Sequence, residues 1–408
     1  MNIVHARQLL TLAGPGRARR GPELSDLSMI NDGAVAIRDG VIQWAGPTDQ
    51  LPDRTAPDFD ASGKVVLPGF VDSHTHAVFA RTRADEFEWR IQGTSYMDIL
   101  ARGGGILSSV KAAREAPKLG VQFADRFLEF GTTTIEAKSG YGLNLQTEIR
   151  MLESMRLADR LEVVPTYLGA HAVPLEFRDN RAAFVDQVIE DMKTIGARRL
   201  AEFCDVFVEP GVFTPDEARR IFAAARSLGM AIKVHADEFQ SSGGAALAVE
   251  VGAASADHLG AITEADISRI AASDVVATLL PATLFILGDN HYAPARKLIG
   301  SGAAVALATD FNPGTSPTLN MQFVLSLACT QMKMTPAEAI VAATMNGACA
   351  VRREQRAGSI EPGKQADIAI YDLSDYREIP YFAAVNFCIA TFKKGELVWS
   401  RHSYEPNC

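Results

Sequence analysis

The sequence predicts an α/β protein: a (β/α)8 TIM barrel beside a small β-sandwich domain built from both chain termini. Three observations carry this. Eight apolar, β-branched runs alternate with amphipathic stretches through the middle of the chain. Both ends are β-rich instead. Polar side chains suited to chemistry gather where the apolar runs finish. At 408 residues, 47% of them hydrophobic, there is material for a large core and more than one compact unit.

The first 65 residues open the β-rich part. Ala34 to Gly46, AVAIRDGVIQWAG, reads as two short strands around Asp39-Gly40, a pair that tolerates the positive φ of a tight hairpin. The tail reads the same way, with ADIAIYDL near Ala366 and CIATFKKGELVWS near Cys388 around a Lys-Gly-Glu turn. The two ends are expected to pair into one small domain, 1–65 with 350–408, flanking a barrel over 66–349.

The barrel strands are expected in VVLPGFVDSHTH, TTTIEAKSGYG, EVVPTYLGAHA, CDVFVEP, AIKVHADEF, ASADHLG, VVATLLPAT and AVALATDFNP. Helix-like segments such as LQTEIRMLESMRLADRL and AFVDQVIEDMKTIGARRL lie between most of them. TPDEARRIFAAARSLGM starts with a cap at Thr214, proline at the first helical position, then acids in the first turn. Strands separated by helices pair in parallel, and eight such units close naturally into a barrel. A doubly wound open sheet is the alternative. No Gly-rich phosphate loop follows the first run, which counts against a nucleotide-binding version.

Forty basic residues against forty-nine acidic ones leave a net charge of −9, with no basic footprint for nucleic acid. The one basic cluster, Arg17, Arg19 and Arg20, lies in a Gly/Pro-rich stretch and reads as a solvated loop. The five cysteines, Cys204, Cys329, Cys349, Cys388 and Cys408, form no CxxC pair, so a reducing compartment is expected. The N-terminal apolar patch is short and lacks a preceding basic cluster, unlike a signal peptide. No run approaches the ~18 apolar residues of a membrane span. A cytoplasmic protein without membrane or nucleic-acid partners is the expectation, with a homodimer as the base-rate assembly.

Barrel chemistry sits at the C-terminal ends of the strands. Five of the eight histidines fall there, His74, His76, His171, His235 and His258, whereas His5, His291 and His402 do not. His74 and His76 share a strand face, with Cα atoms roughly 6–7 Å apart. Two such imidazoles can converge on one ion at bonds near ~2.1 Å. With His235 and Asp310 from later strand ends they make three imidazoles and one carboxylate, a set that suits Zn2+ or iron (Fe2+/Fe3+). Such an ion polarises a carbonyl and lowers the pKa of its water to roughly 7. Glu238, three residues past His235, is placed to take the water's proton and deliver it to a leaving nitrogen. The plainer alternative is an exposed loop acid. His258 could hydrogen-bond the water or the attacked oxygen, or be a satisfied core histidine. His171 could donate to a substrate carbonyl, or orient another group.

These residues carry a resemblance. PGFVDSHTH, His235, His258, Asp310 and the tail GSIEPGKQADIAIYD resemble the amidohydrolase superfamily over almost the whole chain. That resemblance implies a metal-bearing barrel beside a β domain made from both ends. HAVFARTRADEFEWRIQGTSYMDI, EAKSGYGL, YLGAHAVP, VHADEF and ATDFNPGTSPT narrow it to the superfamily's cyclic-amide hydrolases that open an imidazolone ring bearing a propionate. The resemblance implies hydrolysis of 4-imidazolone-5-propanoate to N-formimino-L-glutamate in histidine degradation. It implies His74, His76, His235 and Asp310 as metal ligands, and Arg83, Tyr141, His171, Glu238, Asn312, Gly314 and Thr315 around the substrate. A guanidinium fits a carboxylate bidentately, which suits Arg83; read alone, Arg83 is more readily a surface arginine beside Arg81. Tyr141, between glycines in SGYG, faces the site or packs in its loop. FNPGTSPT hangs over the barrel mouth or is a simple turn.

Dinuclear relatives carry a carboxylated lysine at the fourth strand, where CDVFVEPGVF has none, so one metal per chain is expected. Glu209 is the carboxylate there that a second ion would need. Two other readings compete. A cytosine- or guanine-deaminase-like aminohydrolase would use the same ligands. A non-catalytic barrel should have lost a ligand or the acid, and all five residues are present.

Overall fold

The computed structural model describes residues 1–94, 98–99 and 102–401. Ser95, Tyr96 and Met97, His402 and Cys408 therefore lie outside the described residues. The strands in chain order are β1 (Asn2–Leu10), β2 (Met29–Arg38), β3 (Val41–Pro47), β4 (Asp58–Asp60), β5 (Val65–Pro68), β6 (Phe70–Thr75), β7 (Thr132–Lys138) and β8 (Glu162–Ala170). They continue with β9 (Phe203–Val208), β10 (Ala231–Ala236), β11 (Ser255–His258), β12 (Val276–Leu279), β13 (Ala304–Leu307), β14 (Ile368–Tyr371), β15 (Cys388–Lys393) and β16 (Glu396–Ser400).

The terminal domain is one sheet in the order β16-β15-β14-β5-β1-β2-β3, with β4 beside β1. Its two chain ends meet where β5 runs parallel to β1, through Leu9↔Val66, and antiparallel to β14, through Val66↔Ile370. The sheet folds over so that its halves face each other. Gly40 accepts a hydrogen bond from the Ala366 amide at 2.9 Å, and Lys364 accepts one from the Ile42 amide at 2.9 Å. Strand alternation divides the side chains: Val66, Ile368 and Ile370 enter the domain's own cluster with Ile3, Val35 and Phe392, while Val65, Leu67, Ala369 and Tyr371 face the main core. The Asp39-Gly40 hairpin forms as expected, with φ of 51° and 77°.

The boundary differs from the sequence reading. VVLP pairs with β1 and β14, so the sheet extends to Pro68 and the barrel begins at Phe70. Only Gly69 separates the two. A Cβ there would sit 2.3 Å from Thr133 Cγ2, so glycine is required by close packing.

The eight middle strands form a parallel sheet in sequential order, β6 to β13. Closure comes from the segment after β13: the Asp310 amide donates to His74 O at 3.0 Å, and the His76 amide to Phe311 O at 2.8 Å. Helices return between strands with their expected starts. Thr214 caps Pro215–Ser227 in a reciprocal pair with Glu217, and Asn144 caps Leu145–Met155.

The Arg17–Arg20 cluster is not simply solvated. Arg19 is 2% exposed and donates to Leu12 O, while Arg20 reaches Ala271 O and Ser273 O across the domain junction. A larger ion cluster lies where β8 begins. Glu162 accepts from Arg353 Nε at 2.9 Å and Lys393 Nζ at 3.1 Å, and also from Arg356. Lys393 bonds Asp367 at 2.7 Å and Arg353 bonds Glu202 at 2.6 Å. Burial alone would raise the Glu162 carboxyl, but Lys393, Arg356 and Arg353 hold it down at about 2. Among the described residues no helix is long and apolar enough to cross a membrane.

Candidate metal centre

β6 brings His74 to the barrel interior with no exposure, and His76 follows directly at 3%. β10 ends beside His235, then turns through Asp237 at φ 50° to release Glu238. β11 ends on His258 at φ 80°, and Asp310 follows β13 at φ 53°. Three non-glycine residues in left-handed backbone around one mouth mark strain held by the surrounding packing.

The five groups converge. Nitrogens of His74, His76 and His235 lie within 4.8 Å of one another, as do donor atoms of His74, His258 and Asp310. Asp310 Oδ1 is 3.6 Å from Nε2 of both His74 and His76. His74 Nδ1 meets Asp257 Oδ2 at 2.6 Å, which makes Nδ1 the protonated nitrogen and leaves Nε2 a lone pair with no hydrogen-bond partner. His235 Nδ1 sits 2.9 Å from Asp205 Oδ2 without hydrogen-bond geometry, and its Nε2 lies 3.3 Å from His76 Nε2. Burial pushes the His74 and His76 imidazoles well below their ordinary value. A buried His74 Nε2 lone pair with no hydrogen-bond partner, facing Asp310 Oδ1 and the neighbouring imidazoles, makes a place for a cation. The donor set therefore fits a divalent metal ion. Thr283 donates to Asp310 Oδ2 at 2.6 Å and leaves Oδ1 toward the histidines.

Glu238 lies beside this cluster, 3.5 Å from His258 Nδ1 and 9% exposed, so it is not a solvated loop acid. Burial, with Asp310 and Glu209 nearby, raises its carboxyl well above the usual range. Glu209 itself holds that loop: it accepts from the amides of Glu238 at 3.1 Å, Phe239 at 3.2 Å and Gln240 at 2.7 Å. Its carboxylate is thereby engaged by backbone rather than turned to a second ion.

His171 stacks on His76 at 4.9 Å between ring centroids. Its Nδ1 lies 3.0 Å from the Gly140 carbonyl, which can only accept, so Nδ1 carries the proton and Nε2 is an acceptor. Burial holds the ring near a pKa of about 3, so it stays neutral at pH 7. The contact at Nδ1 leaves Nε2 as the ring nitrogen without a protein hydrogen bond to Gly140. Tyr141 is buried with its ring 6.0 Å from His76. Its loop is fixed by Glu148, which accepts from the amides of Gly140, Gly142 and Leu143.

Arg83 is 8% exposed, not a surface residue, and its Nε donates to Glu86 at 3.1 Å. Gly314 lies flat against it; a Cβ would fall 2.1 Å from Arg83 Cζ. Asn312 holds the same loop, accepting from the amides of Gly314 at 2.8 Å and Thr315 at 2.7 Å and donating to Asp310 O at 2.7 Å. Thr315 Oγ1 is 3.0 Å from Asn312 Nδ2. Asn312 and Thr315 are bonded to each other, and Gly314 packs against the Arg83 guanidinium.

The residues that sequence reasoning missed lie below: Lys138, Asp205, Lys233, Asp257 and, to one side, Thr283. The readable signal was a charged residue inside an otherwise apolar strand, which is not buried without a partner.

A closed parallel barrel with this donor set at its C-terminal mouth defines a metal-dependent hydrolase of the amidohydrolase type. The profile of the Amidohydrolase family matches residues 65–398. Imidazolonepropionase of Solibacter usitatus (strain Ellin6076) is 49% identical over 98% of both chains, and that of Geobacillus thermodenitrificans (strain NG80-2) is 48% identical over 97% of both. The chain belongs to the imidazolonepropionase family of amidohydrolases. The fold is also similar to a zinc-bound adenosine deaminase from Xanthomonas campestris, at TM-score 0.69 and 20% identity over 97% of this chain and 92% of that one. E. coli guanine deaminase matches at TM-score 0.70 and 16% identity over 98% of this chain and 100% of that one.

Proposed function

We propose that the protein hydrolyses the ring amide of 4-imidazolone-5-propanoate to N-formimino-L-glutamate, with one divalent ion per chain. The observation that carries this reading is one mouth that combines two overlapping donor clusters, His74–His76–His235 and His74–His258–Asp310, with the acid Glu238, its side chain 9% exposed, and the buried cation Arg83. That combination suits a ring amide bearing a carboxylate.

A divalent ion held by His74, His76, His235 and Asp310, zinc or iron, supplies Lewis acidity toward the ring carbonyl and its attacking water. Arg83 binds the propionate. Because Glu86 fixes its Nε, the carboxylate approaches the two Nη groups end-on. Tyr141 and the Asn312–Thr315 loop close the walls around it. His171 accepts from a ring N–H through Nε2. Glu238 takes the proton from the attacking water and gives it to the departing ring nitrogen. His258, next to Glu238, stabilises the developing oxyanion. The four described cysteines are free thiols, in keeping with a cytoplasmic setting, and a homodimer completes the reading.

The test is a spectrophotometric assay with freshly generated 4-imidazolone-5-propanoate on as-purified, chelator-stripped and metal-restored protein. Metal-dependent loss of substrate, with N-formimino-L-glutamate formed and no ammonia, is expected. Metal-replete protein without that activity overturns the substrate assignment, and ammonia release from ring amines would move it to a deaminase.

A further inference from the structure

A second layer of charge lies beneath the donor cluster. Glu136, Lys138, Asp205, Lys233 and Asp257 are all 0% exposed and come from four strands, β7, β9, β10 and β11. Lys138 Nζ is 2.7 Å from Glu136 Oε1, 2.8 Å from Asp205 Oδ2 and 3.8 Å from Asp257 Oδ2. Lys233 is 3.3 Å from the same Asp257 oxygen. Asp257 hydrogen-bonds His74 Nδ1 at 2.6 Å, and Asp205 accepts from the His235 amide at 3.1 Å while its Oδ2 lies 2.9 Å from His235 Nδ1.

We propose that Lys138 is a positioning residue for the metal centre: one ammonium, 2.8 Å from Asp205 and 3.8 Å from Asp257, holds by its charge the two carboxylates that face His235 and His74. The inference rests on those histidines being ligands. A carboxylate on Nδ1–H sets the tautomer and aims the Nε2 lone pair at the ion. Each carboxylate can do this only if it is itself held. β7 and β9 are not neighbours, since β8 lies between them, so a long side chain must cross the barrel interior to link them. Three carboxylates against two ammoniums leave the layer one charge negative, which favours a divalent cation above it. Burial alone would lower the Lys138 ammonium, but Asp205, Glu136 and Asp257 hold it above its ordinary value, so it stays charged.

The competing role is simple neutralisation of Glu136. Lys138→Met paired with Glu136→Gln removes both charges together and separates the two roles. The readouts are Co2+ affinity of the stripped protein, by competition with a chelator, and the Co2+ d–d absorption; neither uses substrate, so they are independent of the proposed reaction. The folded double variant is expected to bind Co2+ about 10–100-fold more weakly, with a changed d–d spectrum. Glu136→Gln alone, which keeps the Lys138–Asp205 pair, should stay within about threefold of native. Native affinity and spectrum in the double variant would overturn the proposal, as would Glu136→Gln alone weakening binding as much as the double. Should the double variant fail to fold, Lys138→Gln with Glu136→Gln retains an amide in the cavity and is read by the same criteria.

Discussion

Where β8 begins, Glu162 meets Arg353, Arg356 and Lys393, and Asp367 and Glu202 answer the remaining positive charge. At the opposite end of the barrel, His76 and His235 bring their Nε2 atoms to 3.3 Å, and His74 Nε2 has no hydrogen-bond partner. Both regions bury ionisable groups. The first completes itself with side chains and joins two domains. The second is complete only with a cation, and its backbone is strained at His258 and Asp310 to keep it so. Unmet bonding capacity inside a well-packed core is therefore what separates a site from a structural ion cluster.

The comparison breaks most sharply at a ligand. His235→Ala should abolish both metal retention, read by elemental analysis, and measurable turnover, while thermal unfolding stays cooperative. Glu238→Gln should keep the metal and lose about 10²–10⁴-fold in kcat; normal turnover in the metal-replete variant would remove Glu238 from proton transfer. Arg83→Met should raise KM by about 10–100-fold, with a smaller change in kcat, since it holds the non-reacting end of the substrate. At the junction the effect moves from activity to stability. Glu162→Gln leaves three cations facing an uncharged group and should cost about 2–4 kcal/mol in denaturant unfolding, with kcat and metal content at native values. The same carboxyl predicts a pH dependence. Its folded pKa of about 2 lies below its ordinary value of 4.5. Its contribution, about 2–3 kcal/mol, is thus full above pH 4.5 and lost as pH falls toward 2. Native protein should lose stability across that window more than Glu162→Gln does.

Much of the mouth could be read directly from the chain. Each of the eight runs became a strand, and HTH, His235 and Asp310 came together because parallel strands deliver all their C-terminal ends to one face. The β5–β6 break was hidden inside one continuous apolar run, VVLPGFVD, since both halves are buried and periodicity does not separate them. The Lys138 layer was hidden for a different reason. A lone lysine or aspartate in a strand reads as a solvated edge, and only closure of the barrel shows that five of them share one interior. The tautomer of His171 was not legible, because the Gly140 carbonyl that meets its Nδ1 belongs to a different strand end.

The pairing of β5 with β14 also bears on how the chain is made. β5 ends at Pro68 and its antiparallel neighbour begins at Ile368, roughly 300 residues later. At about 5–20 residues per second, the ribosome takes on the order of 15–60 s to supply that neighbour. For that interval the nascent β1–β5 half presents an open strand edge, Val65–Pro68, while the barrel emerges beside it. The quaternary and aggregation hazards of this protein should therefore concentrate in a stalled or truncated translation product rather than in the finished molecule, where β14 has covered that edge.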